Sequence, residues 1–222
     1  IAYSGQGRTI EIDKQRISGY RNFINKLWNA ARFVLSVTED VTPGQFRGGV
    51  PANGLAREDR WILTRLSECI DGGTRGIEEY EFDQYVASIY RFLWDDYCDW
   101  YLELVKGRVY GKEGSVESRV VAQVVLLTVL EHLLRLLHPV IPYATEEIWQ
   151  LLRERLTGRA CGDVACEAPA RRIDGDSLGF YDAFGELSLC VALWPTDRLY
   201  RDEQACRDIE EIQTIIGAVR NI

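Results

Sequence analysis

A stripe of polar and basic side chains runs along one side of an amphipathic segment near the start of the chain. At about 100° per residue, its members share one face of a helix: Lys14, Ser18, Arg21, Asn25, Asn29 and Arg32. The planar guanidinium of arginine can pair with a phosphate or a base edge, and asparagine can make paired hydrogen bonds to a base. These residue types suit the reading of unstacked nucleic-acid bases.

The charge of this segment contrasts with that of the chain. The 222 residues include 26 Lys and Arg against 34 Asp and Glu, a formal net charge of −8, which argues against a surface that is basic everywhere. Five basic residues and no acidic one nevertheless occupy residues 14–32: Lys14, Arg16, Arg21, Lys26 and Arg32. Local charge therefore singles out this segment as a candidate nucleic-acid-binding surface.

Phe33 lies far from the centre of the segment's apolar face, where its ring could stack on a base. Other interpretations remain open from the residues alone. Outward-facing Arg and Asn side chains are usually only solvated, Phe33 could pack beneath the loop that follows Thr38, and the asparagines could be buried against another helix.

Two further groups of residues could bind a metal. Asp95, Asp96, Asp99 and Glu103 form an acidic cluster that could also serve as an acid/base site. It has no histidine partner or strand-built cleft, so a solvated or arginine-paired face is favoured. The chain has six cysteines, at positions 69, 98, 161, 166, 190 and 206. Their wide spacing favours free thiols in a reducing, cytoplasmic setting over a disulfide framework. Cys161 and Cys166 lack nearby histidines, which disfavours zinc.

Hydrophobic periodicity predicts an all-α bundle. Helices are predicted from about residue 13 to the loop 38–54, over about 55–70 with Gly72 and Gly73 as the stop, over 77–106, over 116–137 at the centre of the bundle, from an N-cap at Thr145, and over 203–222. Residues 157–184 read as an irregular insertion, and 187–194 as a short strand. In the first helix, the predicted buried face is Ile17, Tyr20, Ile24, Leu27, Trp28, Ala31 and Leu35.

The boundaries that follow are residues 1–12 as the end of a linker, 13–156 as the helical bundle and 157–222 as the insertion, strand and last helix. The absence of an initiator Met and of a secretion signal suggests a fragment of a longer protein. The apolar run 120–130 is interrupted by polar residues and is too short to cross a membrane.

Four stretches resemble a known family. Residues 20–35 closely resemble the helix with which the anticodon-binding domain of valyl-tRNA synthetases begins, and residues 60–63, 94–103 and 138–149 agree with it in order. The last two are shared more loosely with related class I synthetases. Residues 216–222 resemble the start of the segment that leads into a C-terminal coiled coil in this family.

The resemblance implies an α-helical domain that holds the anticodon stem-loop of valine tRNA and leans on a catalytic domain of the same polypeptide. It implies that the anticodon stem-loop is contacted by Arg21, Asn25, Asn29, Arg32 and Phe33, with Arg16 and Lys26 on phosphates. Asn22 also matches the motif. Trp28 matches too but is expected in the core, as are Trp94, Trp100 and Trp149.

The sequence lacks the residues with which class I synthetases bind ATP. Its only histidines are His132 and His138, it has no Met, and neither a His-x-Gly-His motif nor a Lys-Met-Ser-Lys-Ser loop is present. The chain is therefore expected to catalyse nothing and to hold no cofactor or metal, with ATP and Mg²⁺ belonging to the parent's catalytic domain. The expected form is a monomer. The alternatives are a helical protein-docking domain without RNA contact, or the same domain of an isoleucyl-type synthetase.

Overall fold

The computed structural model describes residues 14–42, 44–45, 50–51, 53–157, 177–178, 188–196 and 200–220. Its helices are α1 (Lys14–Val37), α2 (Arg57–Glu78), α3 (Phe82–Arg91), α4 (Lys106–Val109), α5 (Val116–Leu137), α6 (Pro142–Thr157) and α7 (Glu203–Arg220). Two short strands, β1 (Val50–Pro51) and β2 (Ser177–Leu178), pair antiparallel. The predicted all-α class is confirmed. The predictions for residues 1–13, 158–176 and 179–187 lie outside the described residues.

Helix α5 lies at the centre of the bundle, as predicted, and its predicted bounds are confirmed. Every residue from Val121 to Leu137 is buried, and α1, α2, α4 and α6 pack around it. The Ser115 side chain caps its first turn by accepting from the backbone N of Ser118 (3.2 Å). By length and apolar composition alone α5 could span a membrane, but 89% of its most apolar window is buried in the protein, as expected of a core helix.

Only the second half of α1 is fully docked on the bundle. The side chains of Ile17 and Tyr20 are 56% and 49% exposed, which corrects their assignment to the buried face. The fully buried residues of the helix lie further along: Leu27, Ala30, Ala31, Val34 and Val37. Because the first turns of α1 lie on the surface, the apolar periodicity in those turns does not predict which side chains are buried.

Helix α2 does not stop at Gly72 and Gly73 but continues to Glu78. The glycine that close packing requires is Gly76, since a Cβ built on it would lie 2.8 Å from the backbone N of Tyr85 in α3. The chain reverses at Tyr80, whose φ is 59°. As a result the third helix begins at Phe82 rather than at residue 77.

Helix α3 continues directly into a π-helical segment, Phe92–Tyr101, and a last α-turn, Leu102–Leu104. Two buried tyrosines of the π-helical segment, Tyr97 and Tyr101, anchor the segment to the core. The Tyr97 hydroxyl donates to the backbone O of Leu126 (3.1 Å), and the Tyr101 hydroxyl donates to Asp59 (2.8 Å). The wider helix was not predicted.

A buried ion pair joins α2, α4 and α5. Arg108 donates to Asp59 (2.9 Å) and Glu58 (2.8 Å), and it also donates to the side chain and backbone of Ser118. Asp59 is fully buried and accepts from the backbone N of Ala56 as well (3.0 Å). Burial raises the pKa of Asp59, while Arg108 and Tyr101 act in the opposite direction.

Two predictions near α6 are wrong. Helix α6 begins at Pro142, a favoured first helical residue, and Thr145 lies inside it with its hydroxyl near the backbone O of Ile141 (3.0 Å) rather than acting as a cap. Residues 189–191 form a 3₁₀ turn instead of a strand, because the segment packs on α6 and has no neighbouring strand to pair with among the described residues.

The last helix is tied to α2 by polar contacts at its start. The backbone N of Asp202 donates to Thr64 (3.0 Å), the backbone N of Tyr200 donates to Ser67 (3.3 Å), and Arg60 pairs with Asp202 (3.1 Å). Helix α7 thus packs on the same core as the other helices.

Candidate nucleic-acid interface

The predicted stripe lies on the outer surface of α1. Four of its members are exposed, namely Arg21, Asn25, Asn29 and Arg32, and Asn22, which is not a member of the stripe, is exposed beside them. Their side chains make no hydrogen bond or ion pair within the described parts of the chain. Burial of the asparagines against another helix is therefore excluded, and the donors of this stripe are open to solvent. The side chains of Lys14 and Arg16 lie outside the described residues.

The C-terminal end of α1 is held in place by a side chain of α6. Arg155 of α6 donates to the backbone O atoms of Leu35 and Thr38, which satisfies carbonyl groups that a helix end otherwise leaves without partners. Leu27 and Val34 are fully buried on the opposite side from the stripe. The exposed donors thus project from a helix whose position is fixed by the core.

Phe33 lies at the edge of the stripe and is half-buried. Its ring meets Tyr110 edge-on, with centroids 6.4 Å apart and an interplanar angle of 79°. Tyr110, in the turn after α4, is 56% exposed. Phe33 therefore packs on Tyr110 while part of its ring stays accessible for stacking.

The contribution of Tyr110 was missed from the sequence. It is followed by Gly111, whose φ of 66° lets the chain turn there and leaves the tyrosine beside α1. A tyrosine before a glycine signals such a turn only weakly. Its proximity to Phe33 depends on tertiary packing, which the local pattern does not contain.

Lys26 differs from the other basic residues of α1. Its Nζ lies 2.5 Å from Asp99 and 3.8 Å from the ring centroid of Trp94. Trp94 stacks on Tyr90 (5.5 Å), and Tyr90 stacks on Phe23 (5.0 Å). Lys26 is therefore bound to the π-helical segment, and any phosphate must compete with these two contacts.

The tryptophans fit the packing roles expected of them to different degrees. Trp149 is fully buried in the core. Trp28 and Trp100 are partly buried and pack against the core, and Trp94 is half-buried between Tyr90 and Lys26. None of the four is freely exposed for base stacking.

The acidic cluster is a set of ion pairs. Asp96 pairs with Arg65 (3.1 Å), and Glu103 pairs with Lys106 (2.6 Å). Burial raises the pKa of Asp96, and the guanidinium of Arg65 acts against it. No group of three or more metal-ligating side chains occurs in the described ranges. The arginine-paired interpretation is confirmed for Asp96.

The geometry favours binding over catalysis. Arginine and asparagine donors lie on an exposed face without acidic residues, and a partly exposed aromatic ring borders them. Such a surface can meet phosphates and base edges together.

Comparisons with known proteins identify relatives. Residues 59–222 match the family described as the anticodon-binding domain of tRNA ligase. The chain is 38% identical over 223 residues to valine–tRNA ligase of Syntrophotalea carbinolica and 36% identical over 220 residues to that of Thermotoga maritima. These alignments cover 100% and 99% of this chain, but only 21% of either relative. Helix α1 precedes the family match and is covered by both relatives.

Proposed function

Because the chain belongs to the family of anticodon-binding domains of tRNA ligases, we propose that it binds the anticodon stem-loop of a valine tRNA through the exposed stripe of α1. One observation carries the proposal. Five donor-bearing side chains share an exposed surface of α1 that has no acidic residue, and they have no hydrogen-bond or ion-pair partner among the residues that the structure describes. A helix face that is only solvated does not need arginines and asparagines at this spacing. A face that binds an RNA loop does, because the loop presents hydrogen-bond acceptors along its length.

Each side chain has a role that follows from its chemistry. Arg32, Asn29 and Asn25 lie in line on the stripe and meet base edges or phosphates of the loop, with Phe33 stacking on an unstacked base. Arg21 and Asn22 lie one to two turns earlier and reach toward the stem. Arg16 and Lys26 meet phosphates, Lys26 only by releasing Asp99 and Trp94.

The proposed parent is a valine–tRNA ligase that joins valine to its tRNA with ATP and Mg²⁺ in a separate catalytic domain. The identity to valine–tRNA ligases across the chain supports valine over isoleucine. In this proposal the chain itself needs no cofactor, contacts the catalytic domain of the same polypeptide, and works as a monomer in the cytoplasm. The free thiols of Cys69, Cys98, Cys190 and Cys206 fit a reducing compartment.

The test compares Arg32→Ala with Arg207→Ala. Arg207 is an exposed arginine of α7, away from the stripe, and serves as the charge-matched control. Fluorescence anisotropy would measure binding to valine tRNA and to the same tRNA with altered anticodon bases. Loss of a base contact by Arg32 costs about 1–3 kcal/mol and narrows the gap between the two tRNAs.

The control should leave that gap unchanged. Equal affinity of the wild-type chain for both tRNAs would refute base reading by α1. Equal losses in the two variants would show that only total charge matters.

A second candidate function is docking of another protein domain. It is favoured by the exposed apolar side chains of Ile17 and Tyr20 on the same helix. Absence of tRNA binding by a folded chain, together with retained binding to a separately produced catalytic domain of a relative, would support docking alone.

A further inference from the structure

A cysteine, a histidine and a threonine meet at the surface between α6 and the 3₁₀ turn 189–191. Cys190 is exposed, and its Sγ lies 3.2 Å from Nε2 of His138. His138 Nδ1 lies 2.9 Å from Oγ1 of Thr145. The three side chains are arranged like a nucleophile (Cys190), a base (His138) and a group that orients the base (Thr145).

The hydrogen bonds of Thr145 set the tautomer of His138. The Thr145 hydroxyl has one hydrogen to donate. Its Oγ1 atom lies 3.0 Å from the backbone O of Ile141 and 3.1 Å from the backbone O of Pro142. Because these carbonyls take that hydrogen, Oγ1 accepts from Nδ1–H of His138. Nε2 then carries the free lone pair and faces the thiol of Cys190.

The turn that carries Cys190 is held rigidly on α6. Glu146 accepts from the side chain of Ser188 (3.1 Å) and from the backbone N of Leu189 (3.0 Å). Ser188 in turn accepts from the backbone N of Cys190 (3.1 Å). These bonds fix the backbone of the turn on α6, so the fold places Cys190 within reach of the imidazole of His138.

The other described cysteines lie in unfavourable surroundings. Burial raises the pKa of Cys69 and Cys206, and burial raises the pKa of Cys98 to about 12. Each of the three is at least partly buried. Since the thiolate is the reactive form, these sites are disfavoured. Cys161 and Cys166 lie outside the described residues.

We propose that Cys190 is a modification site for alkylating electrophiles, with His138 as the base that accepts the thiol proton and Thr145 as the residue that positions it. With iodoacetamide, the sulfur forms a bond to the methylene carbon as the carbon–iodine bond breaks. The S–H proton passes to Nε2 of His138 and then to water, and iodide leaves. No oxidant or further reactant is needed.

The test measures iodoacetamide labelling of each cysteine in the 222-residue chain by peptide mass spectrometry. At about pH 7, where ordinary thiols are mostly protonated, Cys190 should react at least about tenfold faster than N-acetylcysteine in the same solution, a threshold set below the roughly hundredfold lower end of the range for general-base catalysis. Cys69, Cys98 and Cys206 should react more slowly than that reference. A Cys190 rate equal to the reference would overturn the proposal.

His138→Gln tests the base and Thr145→Val tests the positioning residue. His138→Gln should slow Cys190 at least about fivefold at pH 7, and the two rates should converge at about pH 10, where hydroxide removes the proton without help. Thr145→Val should slow it less. Circular dichroism and urea unfolding identify folded variants. A folded His138→Gln chain that labels at the wild-type rate would refute the role of His138, and a constant rate ratio at every pH would show a purely structural effect.

Discussion

Replacement of Asp99 by Asn should strengthen RNA binding, because Asp99 competes with phosphate for Lys26. The Lys26 Nζ is 2.5 Å from Asp99 and sits over the ring of Trp94 at 3.8 Å. Asp99→Asn removes the charge partner and keeps the shape. Lys26→Ala removes the cation altogether. Asp95→Asn removes the same charge from the same helical segment at an exposed residue without touching Lys26, and is the matched control.

The magnitude follows from the contacts that Lys26 must release. A partly exposed ion pair contributes about 0.2–1 kcal/mol, and a cation over an aromatic ring adds about 0.5–1 kcal/mol. One phosphate contact on single-stranded RNA changes the slope of log K against log salt by about 0.7, about 1 kcal/mol at 0.1 M salt relative to 1 M. Gain and loss nearly cancel in the wild-type chain. Lys26→Ala should therefore change affinity less than about twofold.

With Asp99 replaced, the ion-pair part of the cost disappears, about 0.2–1 kcal/mol, while the contact with Trp94 and the phosphate contact remain. Affinity for valine tRNA should rise about threefold, and the salt slope should steepen by about 0.7. Fluorescence anisotropy titrations at four or five salt concentrations would measure both quantities. Asp95→Asn should steepen the slope by clearly less.

Two results would refute this reasoning. A Lys26→Ala variant that loses about fivefold in affinity and about 0.7 in slope would show that the ion pair opens at no cost. An Asp99→Asn variant that behaves like Asp95→Asn would show that the segment acts only through its total charge.

Three predictions concern the scaffold beneath the stripe. Asp59→Asn leaves the buried cation of α4 poorly compensated and should lower the free energy of unfolding by about 3 kcal/mol, against less than about 0.5 kcal/mol for exposed Asp95→Asn, by urea unfolding. Gly76→Ala places a Cβ 2.8 Å from a backbone N and should cost about 1–3 kcal/mol, whereas Gly217→Ala, with open space around it, should stabilise by about 0.5–1 kcal/mol. For Glu131, burial alone would raise the pKa, but the charges of its partners outweigh burial and hold the pKa below the usual 4.5. Its stabilising contribution is then complete above pH 4.5 and lost as the pH falls through the lowered value, so the stability gap between wild type and Glu131→Gln should narrow in acid.

The central helix could be read from the sequence because its signals are local. A serine N-cap precedes α5, apolar residues fill nearly all of its sides, and Pro139 follows its end. The bounds of α2 could not be read in the same way. Gly72 and Gly73 resemble a stop signal, but Gly73 and Gly76 face the neighbouring helix α3 at close range, and that contact exists only in the folded chain.

The exposure of the stripe on α1 could be predicted from the sequence, but the contacts that surround it could not. The exposure of Arg21, Asn25 and Arg32 follows from the 3.6-residue period. The capture of Lys26 by Asp99 does not, because the two are 73 positions apart and meet through the π-helical segment. A period of 3.6 cannot anticipate that segment, in which hydrogen bonds span five residues.

The acid-free face of α1 has a consequence for how RNA arrives. Acidic residues outnumber basic ones by 34 to 26 over the chain, so an approaching polyanion is repelled by the average surface and attracted by one face. Encounters in the wrong orientation are short-lived, and the productive orientation is selected before any base is contacted. The excess of negative charge thus lowers the rate of association with RNA, and it also lowers the number of misaligned complexes with the many other RNAs of a cell.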